Sequence, residues 1–310
     1  MRVLDQHIAV QPGRYVVAVS GGVDSMVLLH LLHNIANVSI VAVHVDHGIR
    51  PDSHQDQSLV EAFCMSHNIE YVTQQLNLGQ AASEAQARSA RYRVLQQCRI
   101  ARNADAIITA HHRDDLLETA IINIIRGTGW RGIAPFTNSD TVIRPLLHVP
   151  KEELIRYAAE NSVPWRQDST NLDQRYLRNY VRLSVMPELA KHNPKWEQDF
   201  LRLIRKQRAL RRTIEDELAT YLTSITKSRG PAVSGNRYDW IMLPSTLAYE
   251  CLQALCRRHC GNSLERAKAQ SAMIFIKVAR PGKVMVLNDH WQIRATMREF
   301  IVESRLSMVK

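Results

Sequence analysis

The chain is predicted to fold as an α/β protein, with a doubly wound parallel sheet followed by a linker helix and a small α+β domain at the C-terminal end. Three observations predict it. Short β-branched apolar runs alternate with longer Leu- and Ala-rich segments from residue 15 to residue 160. From Phe200 to Leu222 apolar residues recur at helical spacing with a basic face opposite. At about Ser228 the composition changes, with Gly230-Pro231 as a break. A chain of 310 residues is long enough for more than one domain. The expected divisions are 1–187, 188–228 and 229–310.

Taken in order, Tyr15-Val16-Val17-Ala18-Val19 reads as the first strand. Ser20-Gly21-Gly22-Val23-Asp24-Ser25 is a tight turn, and Met26 to Leu32 starts a helix too long and Leu-rich for a strand. Val38 to Val45 is the second strand, closed by Asp46-His47-Gly48-Ile49-Arg50 and Pro51. His54 to Asn68 reads as a helix, Ile69 to Val72 as a short strand, and Ser83 to Leu95 as a helix capped near Ser83. Ala106 to Ala110 is a buried strand, and Asp114 to Ile125 a helix that stops near Gly127 and Gly129. Lys151 to Asn161 is a further helix. Pro187 and Pro194 punctuate the join to the long helix, whose stripe is Phe200, Leu203, Ile204, Leu210, Ile214, Leu218 and Leu222. The chain closes with Lys283 to Leu287 and Trp291 to Ala295, turned at Asn288-Asp289.

In a doubly wound sheet ligands bind outside the carboxyl ends of the strands. Three polar clusters fall at such ends: Ser20–Ser25, His44–Arg50 and His111–Asp115. Topology therefore predicts that they line one crevice. The paired glycines allow close backbone approach and positive φ, and the turn presents N–H groups at a helix N-terminus, where an anion is stabilised. Capping by Asp24 or Ser25 is the plainer alternative. No Gly-x-x-x-x-Gly-Lys-Ser/Thr and no Gly-x-Gly-x-x-Gly occurs. Asp115 and Glu118, three apart, share a helix face, and two carboxylates near phosphates suit Mg²⁺. Capping alone would account for an isolated Asp114-Asp115, but two histidines at the same strand end weight the site toward function. Arg88 and Arg91 lie one turn apart, either as a solvated basic face or as phosphate-stabilising guanidiniums, and sequence physics does not choose. Arg175, Arg178 and Arg182 form a row fit for phosphates.

Residues 1–186 balance basic against acidic side chains, so the formal charge of +10 belongs to residues 187–310. A neutral half joined to a basic half points to a polyanionic partner, and a basic solubilising surface is the plainer reading. Arg202, Arg205, Lys206, Arg208 and Arg212 are the best candidates for nucleic-acid backbone contacts. No apolar stretch is long enough to span a membrane and no secretory signal is read in Met1 to Val10, so the expectation is a cytoplasmic protein with no membrane partner. Five scattered cysteines do not make a disulfide scaffold. Cys251, Cys256 and Cys260 beside His259 read as buried helical cysteines rather than a metal cluster. The oligomeric state is left open, a homodimer included.

Ser20–Ser25 between strand and helix resembles the pyrophosphate-binding loop of the PP-loop ATPases, the N-type ATP pyrophosphatases. That family cleaves ATP between the α- and β-phosphates and adenylates a substrate oxygen. The ordered set of this loop, His44–Arg50, Glu84–Arg88, His111–Thr119, Arg126-Gly127-Thr128-Gly129, Arg144-Pro145-Leu146 and Trp165-x-x-Asp168-x-Thr170-Asn171 with Arg178-Asn179 is similar to the bacterial tRNA(Ile)-lysidine synthetases. The resemblance is tight over residues 15–187 and loose beyond. Ala110 stands where many members have Gly, and longer members carry a further C-terminal domain. The resemblance implies an adenine nucleotide alpha-hydrolase-like fold for the PP-loop domain and a tRNA-binding role for 229–310. It implies ATP and Mg²⁺, L-lysine, and a tRNA(Ile) with a CAU anticodon as substrate. Ser20, Gly21, Gly22, Val23, Asp24 and Ser25 would hold pyrophosphate. Asp115 and Glu118 would place Mg²⁺ or orient the cytidine and the lysine amine. Arg88 and Arg178 would hold substrate or α-phosphate, and His112 would donate to the reacting phosphate. A related tRNA thiolase is the rival within the group, and a nucleotide- or RNA-binding regulator the rival outside it.

Overall fold

The computed structural model describes residues 8, 10–46, 48, 53–76, 79, 84–136, 141–167, 175–261 and 263–305. The chain forms two compact units, Met1–Gln207 and Arg208–Lys310. In the first, β1 (Gly13–Ala18), α1 (Val23–His33), β2 (Val38–Asp46), α2 (Ser53–Ser66), β3 (Glu70–Gln75), α3 (Glu84–Ala101), β4 (Ala106–Ile108), α4 (Arg113–Ile125), β5 (Val142–Ile143) and α5 (Lys151–Glu160) follow in order. Then come α6 (Leu177–Tyr180), a π-helical turn over Val181–Val185, α7 (Met186–His192) and α8 (Trp196–Ile225), of which residues 208–225 belong to the second unit.

The strands are ordered β3-β2-β1-β4-β5, and all pairings are parallel. Period-two alternation sends side chains to two covered faces. Tyr15, Val17, Ile40, Ala42, Ala106 and Ile108 pack with α1, α2 and α5. Val16, Val41, Val43 and Ile107 pack with Leu95 of α3. Leu116, Leu117, Ile121 and Ile122 of α4 share a third cluster with Val181, Trp196 and Ile204. The order reverses between β1 and β4, so the crevice at their carboxyl ends is the topological switch point.

The expected strand–helix alternation stands, with shifts at the ends. α3 runs six residues beyond Leu95, because Cys98 continues its buried stripe. β4 stops at Ile108, as its partner β5 is two residues long. The caps expected near Ser83 and the residues Asp168, Thr170 and Asn171 lie outside the described residues. The long helix extends from Trp196 to Ile225. Its stripe is narrower than the sequence pattern implies: Ile204, Leu218 and Leu222 are buried, but Leu203 and Leu210 are exposed.

The second unit contains β6 (Thr226–Arg229), β7 (Ala232–Asn236), α9 (Arg237–Met242), α10 (Ser245–Cys260), α11 (Arg266–Val278), β8 (Val284–Val286), β9 (Trp291–Ala295) and β10 (Glu299–Ser304). Its sheet, β6-β7-β10-β9-β8, is antiparallel throughout. Trp240 meets Phe300 edge to face, with centroids 4.8 Å apart, in a core shared with Cys251, Leu252, Leu255 and Cys256. All five cysteines are free thiols. Among the described residues no three His, Cys, Asp or Glu side chains are grouped to hold a metal, and no helix is long and apolar enough to cross a membrane.

Gly235 lies under the Phe300 ring, where an added Cβ would come within 2.6 Å of ring carbons. Gly235→Ala is expected to destabilise this unit by about 1–3 kcal/mol in denaturant unfolding, as overpacking does. Glu303 accepts from both Arg294 nitrogens (3.0 and 2.9 Å) and from Gln292 (3.1 Å). The Arg294 hydrogen bonds hold its carboxyl below the ordinary 4.5, against the opposing effect of burial. A lowered folded-state pKa gives stability that is present above the ordinary value and is lost as pH falls through the lowered one. The protection factors of the β9 and β10 amides, exchange rates corrected for the intrinsic pH dependence, should therefore fall with acidification from pH 4.5 downward, and Glu303→Gln should flatten that dependence.

Candidate functional site

At the carboxyl ends of β1, β2 and β4 opens a cleft of about 490 Å³. Ser20, Asp24 and Ser25 line it from the first turn, His44 and Asp46 from β2, and Thr109, His111 and Asp115 from the β4 end. The three polar clusters read from the sequence thus share one crevice. His47, Ile49 and Arg50 lie outside the described residues.

The turn after β1 is held by its own serines. Ser25 Oγ donates to the Gly22 carbonyl (3.0 Å) and accepts from the Ser20 N–H (3.1 Å), and the two hydroxyls lie 3.2 Å apart. Helix α1 begins at Gly22 with no side-chain cap. Neither Asp24 nor Ser25 therefore caps the helix through its side chain, and the Ser25 and Met26 N–H groups donate to the Gly22 carbonyl at 3.1 and 3.0 Å. Gly21 adopts φ +88°, and a Cβ there would stand 3.1 Å from Asp56 Cβ. Its carbonyl accepts from the Arg166 N–H at 3.0 Å. The Arg166 guanidinium closes the arrangement, with Nε 3.1 Å from Asp56 and a hydrogen bond to Gln55. Residues 21, 56 and 166 form one clamp behind the turn.

Opposite stands the N-terminus of α4. His112 is its N-cap: Nδ1 accepts from the Asp114 N–H (3.2 Å), while Asp115 accepts from the His112 N–H (3.1 Å). With Nδ1 so engaged, the Nε2 edge faces Asp115 at 3.3 Å and Asp24 at 3.6 Å. Burial pushes the His112 pKa down, but the hydrogen bond to Asp24 and the charges of Asp115, Asp24 and Asp114 outweigh it and hold it above the ordinary value. Burial likewise opposes ionisation of Asp24, yet His112 and Lys151, whose ammonium is 3.3 Å away, keep its carboxyl below the usual range. His111, buried beside Arg88, is kept neutral. The second Asp24 oxygen, Oδ1, is buried without a hydrogen-bond partner.

Of the candidate catalytic residues, Arg88, Asp115 and Arg178 line the cleft, whereas His112 and Glu118 stand behind its lining. Arg88 Nη1 is 3.5 Å from His111 Nε2, and its guanidinium lies over Tyr92. Arg178 donates to Thr119 (3.1 Å) and lies 3.9 Å from Asp115. Glu118 shares the predicted helix face with Asp115 but not its surroundings. It is fully buried, and both oxygens are bound by Arg182 at 2.6 and 3.1 Å. Burial raises its pKa above the ordinary value despite that pairing. The basic candidates lie along α8: Arg202, Arg205, Lys206 and Arg212 are exposed and Arg208 is half-buried. Sequence reasoning missed Asp56, Lys151 and Tyr176. Asp56 sits on a helix far along the chain from the turn it supports, and Lys151 reads only as a helix start.

A parallel sheet with an uncapped glycine turn at its switch point, facing carboxylates and arginines, defines a nucleotide-binding α/β domain. The profile of the PP-loop domain family matches residues 2–189. A tRNA(Ile)-lysidine synthase from Enterococcus faecalis is 30% identical, with 95% of this chain and 67% of the relative covered. One from Thermotoga sp. is 37% identical, with 64% of this chain and 50% of the relative covered. The U34-tRNA thiolase NcsA of Methanococcus maripaludis shares the fold, at 19% identity and TM-score 0.54, with 67% of this chain and 76% of that one covered. The chain belongs to the PP-loop family and, within it, to the family of the tRNA(Ile)-lysidine synthases. It spans about half the length of the first curated relatives it matches.

The Asp56–Arg166 contact behind Gly21 should be energetically coupled. Asp56→Ala and Arg166→Ala are each expected to destabilise the first unit, and the double variant to fall short of their sum by about 0.5–3 kcal/mol in a denaturant double-mutant cycle.

Proposed function

We propose that the protein ligates L-lysine to carbon 2 of the wobble cytidine of a tRNA(Ile) with a CAU anticodon, with ATP as the energy source, in the bacterial cytoplasm. The observation that carries the reading is the single cleft in which the glycine turn faces Asp115, Arg88 and Arg178. The cytidine carbonyl oxygen attacks the α-phosphorus of ATP, and pyrophosphate leaves onto the Ser20–Ser25 turn, where N–H groups and hydroxyls take up its charge. The lysine ε-amine then attacks carbon 2, the bond to the activated oxygen breaks, and AMP leaves. Arg88 and Arg178 hold the α-phosphate and the substrate through both steps. Asp115 orients the amine and accepts the proton that its nitrogen sheds once the bond to carbon 2 has formed.

Mg²⁺ fits the chemistry of this site, since Asp24 Oδ1 is buried without a hydrogen-bond partner and Asp24 and Asp115 line the same cleft. Those two residues would hold the ion, which would supply charge neutralisation at the phosphates. Glu118 serves in this reading by fixing Arg182 beneath the site, and His112 by holding the two aspartates in register. The exposed Arg202, Arg205, Lys206 and Arg212, with Arg208, contact the tRNA backbone, and the 229–310 domain contributes to tRNA binding. A homodimer is compatible with this scheme. Thiolation is less well supported: Cys64 is buried, and its thiol is pushed up to about 11.

The test is AMP formation and radioactive lysine incorporation with transcripts of tRNA(Ile) CAU and tRNA(Met). Lysine-dependent AMP release with labelling of the first transcript alone is expected. Asp115→Ala should lower the labelling rate by about 10²–10³-fold, and a variant as fast as wild type would remove Asp115 from the mechanism.

A further inference from the structure

The segment Arg175–Val185 carries two residue sets with opposite fates. Arg178 and Arg182, one turn apart, point into the protein and are spent on α4, through Thr119, Asp115 and the buried Glu118. Tyr176 and Tyr180, also one turn apart, are 60% and 47% exposed. Tyr180 lies two residues, about 200°, around α6 from Arg178, and Tyr176 is the extended residue that caps the start of that helix. The backbone between them is closed by the Tyr180 N–H donating to the Tyr176 carbonyl at 3.0 Å. A π-helical turn follows, a local distortion that is frequent at functional sites.

Two large aromatic side chains on a rigidly anchored strip are costly to leave in water without use. Their position gives the use. Tyr176 is part of the lining of the cleft and also exposed, so it stands at the cleft's mouth, and Tyr180, exposed as well, follows four residues along the chain. The exposed Arg175 adds positive charge at the same end. We propose that Tyr176 and Tyr180 are a stacking platform for the unpaired RNA bases that flank the base entering the cleft. The proposal rests on the ligation reading for the identity of that RNA. Aromatic faces bind unpaired bases by stacking, and cations beside them meet the backbone. A single strand that must send one base into a cleft has its neighbours unstacked at the mouth, and this surface is continuous with that mouth.

The test uses the full chain and an RNA hairpin bearing the CAU loop, with 2-aminopurine in place of the adenine beside the wobble cytidine. Wild type is expected to quench the fluorophore. Tyr176→Ala and Tyr180→Ala should lose quenching and bind the hairpin about 5- to 150-fold more weakly with thermal unfolding unchanged, and Tyr180→Ala, outside the cleft lining, should leave the KM for ATP unchanged. Tyr176→Phe and Tyr180→Phe should behave as wild type, because stacking needs the ring and not the hydroxyl. Alanine variants that quench and bind like wild type overturn the platform. Phe variants as weak as the alanine ones assign the effect to the hydroxyls and overturn it too. A raised KM for ATP with unchanged RNA binding makes Tyr176 a nucleotide contact instead. Wild type that quenches yet incorporates no lysine into tRNA(Ile) refutes the ligation reading and leaves the platform standing. Wild type that binds no hairpin refutes the platform.

Discussion

A single buried imidazole joins the two halves of the site. His112 caps α4 through Nδ1, and its Nε2 edge lies between Asp24 of α1 and Asp115 of α4. Those two helices follow β1 and β4, the strands between which the sheet order reverses. The register of the anion-binding turn against the opposite wall is therefore set by one side chain with almost no exposure. Two carboxylates so close would repel if nothing stood between them. The imidazole proton gives both a shared partner, and Lys151 adds a second cation on the Asp24 side.

Around this link the arginines divide the labour by depth. Arg182 is consumed by Glu118, a fully buried carboxylate that would be costly to leave unpaired. Arg178 stands one turn nearer the cleft, shared between Thr119 and Asp115. Arg88 reaches the cleft from α3 and rests on the Tyr92 ring. The two guanidiniums that border the cleft are held by neighbouring side chains, Arg178 by Thr119 and Asp115 and Arg88 by Tyr92 and His111, as a preorganised charge site requires.

Much of this was legible in the sequence. Strand and helix alternation fixed the doubly wound class, because buried parallel strands read as unbroken apolar runs and the covering helices as longer Leu- and Ala-rich ones. Strand ends then located the cleft. What could not be read was depth. Asp115 and Glu118 are three residues apart on one helix face, yet one borders the cleft and the other is sealed behind it, because the sealing comes from Arg182 sixty-four positions later. The apolar stripe of α8 was over-read for a related reason: Leu203 and Leu210 fit its period, but neither is buried where the helix lies. Three strands of the second unit, β6, β7 and β10, are short and mixed in polarity, and without their antiparallel partners they carry no signal of their own.

The clamp behind the glycine turn has a consequence for how such a sequence can drift. Gly21, Asp56 and Arg166 are remote along the chain but meet at one point, where the turn carbonyl takes the Arg166 N–H and the Asp56 backbone closes the space a side chain at 21 would need. None of the three can change alone without either a collision or an abandoned charge. Lineages that vary here should substitute positions 56 and 166 together, while 21 stays glycine through both exchanges, so that the history of the turn is written in residues outside its motif.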